Sequence, residues 1–218
     1  DLGYGNLDMK LDLTGGAAKA VYSGFLNMNG FDLEKWTGNS DFGKSTFRVN
    51  IANGNGLTLN TINAKVTGVL DSFSFRDYNY SNVEMNGLFN KSVFQGHMNV
   101  EDPNIDFTFD GTINLKDTTE YDFKADLRRL DLGALNLVKE DWVLSGKINK
   151  IQLYARNLND LRGTVILRDF RLIQDKQHVH RIDSLTFAAL NRPNGERYFI
   201  LLSDIANGIL EGRFELNR

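Results

Sequence analysis

A five-residue phrase, apolar-x-Gly-x-apolar, recurs eight times in this 218-residue chain and limits what it can fold into. The copies centre on Gly24, Gly68, Gly87, Gly96, Gly111, Gly146, Gly163 and Gly212. Among the flanking pairs are Met85 with Phe89, Phe94 with Met98, Phe109 with Ile113, and Leu144 with Ile148. Side chains on a strand alternate faces with period two, so each glycine shares a face with its apolar neighbours. Glycine inside a strand weakens it and marks a bend, a bulge or a close approach by another group. The phrase therefore predicts a sheet curved around something apolar.

Strand periodicity fills the sequence between the copies. Ile105, Phe107, Phe109, Ile113 and Leu115 alternate with Asp106, Thr108, Asp110, Thr112 and Asn114. Tyr121, Phe123, Ala125 and Leu127 repeat the pattern, and Leu7, Met9, Leu11 and Leu13 open the chain with it. Turn chemistry separates the runs at 53–56, 102–104, 116–119 and 193–195. Two segments depart from the alternation. Phe31 to Trp36 and Leu130 to Leu135 share the form apolar-Asp-Leu-x-x-apolar, with Asp32 and Asp131 placed as helix N-caps, and they lie 99 residues apart. The fold expected is all-β: a long twisted antiparallel sheet rolled into an open groove, with one or two short helices. Residues 1–218 form one elongated segment with a weak internal repeat, about 1–115 and 116–218.

Composition narrows the functional classes. Hydrophobic residues make up 41% and the net charge is −3, so the chain is neither a disordered tail nor the basic surface that nucleic acid demands. It has no cysteine, which removes disulfides and thiolate metal sites. No apolar run reaches the roughly 20 residues of a spanning helix, and the N-terminus lacks a signal-peptide pattern. The chain starts and stops in strand-like sequence, so a piece of something longer is expected.

Catalytic chemistry is missing from the sequence. His178 and His180 share a strand face, but no third metal ligand is marked. No nucleophile elbow or dinucleotide fingerprint occurs. Asp106 and Asp110 alternate with Phe107 and Phe109, as the wet side of an amphipathic strand does, and Tyr78 and Tyr80 fit a core better than a sugar platform. A non-enzymatic role with no cofactor and no metal is expected.

An apolar face of this length has two natural uses: the core of a sandwich, or an open trough for apolar ligand. At roughly 0.8 kcal/mol per methylene, bringing a two-chain lipid through bare water costs on the order of 20 kcal/mol, and an apolar trough removes most of that.

The order Gly68 to Phe73, Tyr78 to Phe89, Phe94 to Gly96, Asp102 to Asn104 and Phe109 to Asn114 resembles the TamB family, the translocation and assembly module subunits, in its Bacteroidetes-type form. Leu130 to Leu135, Leu144 to Gly146 and Asn159 to Gly163 are similar to the related AsmA pattern, and Leu202 to Gly212 fits the end of such a unit. The resemblance implies a periplasmic bridge segment of a protein anchored in the inner membrane. Its groove would shield phospholipid acyl chains in transport between the membranes, in support of outer-membrane biogenesis. An Omp85-type outer-membrane protein would be a partner through parts outside these residues. The candidate lining is Leu7, Met9, Leu11, Met85, Phe89, Phe94, Met98, Ile105, Phe107, Phe109, Ile113, Tyr121, Phe123, Leu144 and Ile148, with Gly87, Gly96, Gly111 and Gly146 opening room among them. The alternative is a chaperone-like module that guides outer-membrane β-barrel proteins to that partner by strand augmentation. A carbohydrate-binding or enzymatic β-domain is a third, weaker fit.

Overall fold

A computed structural model describes residues 5–14, 21–56, 61–114, 119–155, 160–175 and 177–213; the side chains of Leu7, Met9, Leu11, Leu13 and Thr119 fall outside the described set. The alternating runs become strands β1 (Asn6–Thr14), β2 (Val21–Asp32), β3 (Phe42–Asn55), β4 (Asn63–Phe75), β5 (Tyr78–Asn90), β6 (Val93–Glu101) and β7 (Ile105–Asn114). They continue as β8 (Thr119–Asp131), β9 (Trp142–Ala155), β10 (Arg162–Gln174), β11 (His178–Asn191), β12 (Arg197–Ser203) and β13 (Asn207–Gly212). The fold is all-β, as expected: a single open sheet takes the strands in sequence order, and the described pairings are antiparallel. Contacts divide the chain into two units, Asp1–Asp106 and Phe107–Arg218.

One short helix forms. In α1 (Leu33–Thr37) the Asp32 carboxylate accepts the Lys35 N–H at 3.0 Å, and Gly38, at φ 70°, closes the C-terminus through its N–H to the Glu34 carbonyl. The second Asp segment stops at one turn. Asp131 does cap, accepting the Ala134 N–H at 3.0 Å, but the single turn from Asp131 to Leu135 is not propagated. Gly133 lies inside that turn and Asn136 turns left-handed at φ 58°, so the chain reverses after one hydrogen-bonded loop.

The turn at 53–56 is also corrected. Strand β3 runs to Asn55, and its register shifts between Ala52 and Asn55 around a left-handed Asn53 whose N–H reaches Ser23 Oγ at 3.1 Å. Loop-forming residues here build a bulge within the ladder. The turns at 102–104 and 193–195 form as expected, whereas 116–119 lies largely outside the described residues.

The 99-residue spacing extends far beyond the two Asp segments. Phe31 lies opposite Ser45, which lies opposite Phe73; Leu130 lies opposite Leu144, which lies opposite Leu172. Met28 faces Phe47 as Leu127 faces Gly146, and Leu26 faces Val49 as Ala125 faces Ile148. The bulge between Met28 and Phe31 recurs between Leu127 and Leu130. Strands β1 to β7 thus find their counterparts, in order, in β7 to β13.

Bulges decide where the first unit's core sits. An extra residue between Met28 and Phe31 returns Phe31 to the face that carries Leu26 and Met28, and the shift between Leu70 and Phe73 does the same on β4. Met28, Phe31 and Leu33 pack there against Leu26, Phe42, Phe47 and Phe73.

Candidate functional site

Cross-strand register gathers the apolar residues of each unit onto one face. In the first unit one row runs Leu26, Val49, Gly68, Met85, Met98, and the next runs Met28, Phe47, Leu70, Val83, Val100. In the second, Phe123, Ile151, Val165, Phe187 and Leu201 form one row, and Ala125, Ile148, Leu167 and Leu185 another. A third begins at Leu130, Leu144 and Leu172 and ends on His180.

The candidate lining residues fall as follows. Met85 and Met98 are direct partners, as are Phe89 and Phe94, whose rings lie 5.0 Å apart. Ile105, Phe107, Phe109 and Ile113 sit along β7 at alternate positions, and the Phe109 ring lies 5.1 Å from Phe123, which contacts Tyr121. Leu144 and Ile148 join the rows above. Leu7, Met9 and Leu11 lie in register with Met28, Leu26 and Gly24, and their side chains are outside the described residues. The candidates omit much of the same face, including Phe47, Leu70, Ile151, Val165, Phe187 and Leu201. Alternation within β9 to β11 was the available signal for several of them, but bulges change its phase on β4, β9 and β10.

Most of this face is half-buried, and all described strands belong to the one sheet, so no second sheet caps it. Phe94, Val100 and Phe109 are buried.

The expectation that glycines leave room among the apolar residues is corrected at both positions where it matters most. A Cβ on Gly87 would overlap the Phe94 ring, and one on Gly146, at φ 147°, would overlap Phe170. The aromatic ring of a neighbouring strand lies down over the glycine and seals the ladder, as in aromatic rescue. Glycine here admits a ring belonging to the protein.

The polar features of the fold are structural. Asp102, only 4% exposed, accepts the Ser81 N–H at 3.0 Å, the Ser81 hydroxyl at 2.7 Å, the Asn104 N–H at 2.9 Å and the Tyr78 hydroxyl. Burial opposes its ionisation, but these donors outweigh it and hold the carboxyl below its usual range. Tyr78 is pushed up to about 12 by burial and by its bond to Asp102. All these partners come from the turn before β7 and the start of β5, so the cluster locks the β6 to β7 connection.

Recesses lie on both faces; one of about 330 Å³ is lined by Tyr121, Leu153, Gly163 and Ala189, on the face of Phe123, Ile151, Val165 and Phe187. Another of about 480 Å³ sits over Gly68 among Arg48, Asn50, Thr67, Val69, Glu84, Met85, Asn86 and His97, and one of about 340 Å³ lies among Thr108, Asp110, Lys124, Ala125, Asp126, Lys147 and Ile148. His178 and His180 are exposed on β11, and no group of three His, Asp or Glu gathers among the described residues. No helix of the described residues is long and apolar enough to cross a membrane. No family model, curated protein or solved structure matches this chain.

Proposed function

We propose that the apolar face is a wall for lipid acyl chains, and that the chain is a non-enzymatic segment of a TamB-like bridge carrying phospholipid through the periplasm. One observation carries the reading: apolar rows four or five strands wide lie in register on one face of a single sheet, and residues such as Leu26, Val49, Met85 and Met98 along them remain partly exposed. A face built only as a core would be covered by a second layer. Exposed apolar area of this extent on a chain that folds as a sheet marks a surface for an apolar partner. Acyl chains suit it because they need no directional polar contact, and these rows, apart from His180 at the end of one, offer apolar side chains. An Omp85-type partner would dock through other parts of the protein.

The test is native mass spectrometry of the chain purified without detergent, with organic extraction of anything bound. Phospholipid is expected to co-purify, and Met85→Asp is expected to remove it while Lys65→Asp, exposed on the opposite face of β4, does not. Met85 is the better probe than Phe109, because Phe109 is only 5% exposed and a charge there would unfold its surroundings. Lipid-free protein, or equal lipid in both variants, would overturn the reading.

A further inference from the structure

The two repeats share a backbone at one strand end but differ there in chemistry. Trp36 of α1 and Leu135 lie 99 residues apart, yet Leu135 is 4% exposed and Trp36 is 62% exposed. Phe75 faces Phe42 and Tyr78; its counterpart Gln174 faces Trp142 and His178. Arg76 and Asp175 follow them, left-handed at φ 48° and φ 50°. Each donates its N–H to a carbonyl across the strand ends, Arg76 to Asp41 at 2.7 Å and Asp175 to Asp141 at 3.0 Å. One backbone accepts Leu, Gln and Asp as well as Trp, Phe and Arg, so folding alone does not call for the second set.

Trp36, Phe75 and Arg76 belong to one aromatic band at the end of the first unit's apolar face. Trp36 meets Phe31 edge-on with ring centres 6.0 Å apart, and Phe31 shares a row with Phe73 through Ser45. Phe75 lies 5.3 Å from Phe42 and stacks at 6.2 Å on Phe73. Arg76 folds back over the Phe75 ring, its guanidinium carbon 5.2 Å from the ring centre. Its ion pair to Asp41 is long, at 3.5 Å, and its side chain is 71% exposed, so guanidinium donors remain for another anion. Rings with a polar tip beside a cation suit the boundary where lipid esters and phosphate meet hydrocarbon. Aliphatic surface begins beyond the band. From Phe73 to Gly68, whose row holds Leu26, Val49, Met85 and Met98, β4 runs about 15 Å, the depth of one hydrocarbon leaflet. Resting on the acyl-chain reading, we propose that the Trp36, Phe75 and Arg76 corner is the headgroup end of that site. Arg76 takes the phosphate of a phospholipid, Trp36 and Phe75 flank its glycerol esters, and the acyl chains run from there toward Met85 and Met98. The first unit thereby holds its lipid in one orientation.

Trp36 is its own probe, because the chain has one other tryptophan, Trp142. The full chain carrying Trp142→Phe is loaded with phosphatidylcholine bearing a nitroxide either on the headgroup or at the far end of an acyl chain. The headgroup label is expected to quench Trp36 fluorescence more than the acyl-end label does. If Trp142→Phe misfolds, the same comparison is read as the difference between the unmodified chain and Trp36→Phe. Equal quenching, or stronger quenching by the acyl-end label, with bound lipid seen by native mass spectrometry, would overturn this orientation and leave the acyl-chain reading standing. Absence of any bound phospholipid would overturn both. Arg76→Gln is expected to weaken phosphatidylcholine binding about tenfold through the loss of one charge-assisted contact, and to weaken binding of diacylglycerol, which has no phosphate, less. Equal weakening of the two would remove Arg76 from phosphate recognition.

Discussion

Single residues set the pH limits of this fold and one of its defects. The Asp102 carboxyl has a folded pKa below its unfolded value, near 3.9. Its contribution is therefore fully present above about pH 5 and is lost as pH falls through the folded value. Tyr78 works in the opposite sense: raised to about 12, it stabilises fully below about pH 10 and that contribution fades as pH climbs toward 12. Asp102→Ala is expected to cost about 1–3 kcal/mol at neutral pH by stranding its donors, and to shallow the acid limb of urea-melt stability plotted against pH. An acid limb unchanged by the substitution would remove Asp102 from this role. Ser45 is a liability by the same logic. It is fully buried, its hydroxyl lacks a partner among the described residues, and its counterpart one repeat later is Leu144. Ser45→Ala is expected to leave thermal stability unchanged or raise it by about 1 kcal/mol.

At the level of elements, ladders and caps follow from local chemistry, and bulges decide which face a side chain joins. Asp32→Ala is expected to cost about 1 kcal/mol through the lost cap of α1, measured by chemical denaturation. Gly87→Val is expected to destabilise by about 1–3 kcal/mol, and Phe94→Ala in the same molecule to relieve part of that, because the ring occupies the space a side chain would need. The long alternating runs around Phe109 and Phe123 were legible in the sequence because period-two patterning has no competing local explanation. The Asp32 cap was legible too, since an Asp before a short apolar segment has few other uses. That the Leu130 segment stops after one turn was not, because the same pattern there contains Gly133 and is followed by a left-handed Asn136. The rows through Phe47, Leu70 and Val165 were hidden because one extra residue, near Asp71 on β4 or Asn149 on β9, reverses the apparent face of everything beyond it. The repeat showed only as two similar Asp segments; register, which sequence similarity does not encode, reveals that it spans six strands.

At the scale of the whole molecule, a repeated ladder design produces two units, each with its apolar rows on one of its faces. Sequence phrasing foretold an apolar face but misread the glycines as vacancies, since which ring lies across a ladder is fixed only once strands are paired. The central claim is that this face takes acyl chains. The most direct test is a phospholipid with a photoreactive group on its acyl chain, crosslinked to the intact protein and mapped by mass spectrometry. Adducts are predicted at Met85, Met98, Ile148 and Phe187 on the apolar rows. Adducts at His97, Lys124 and Lys147 on the polar face, or none at all, would contradict it.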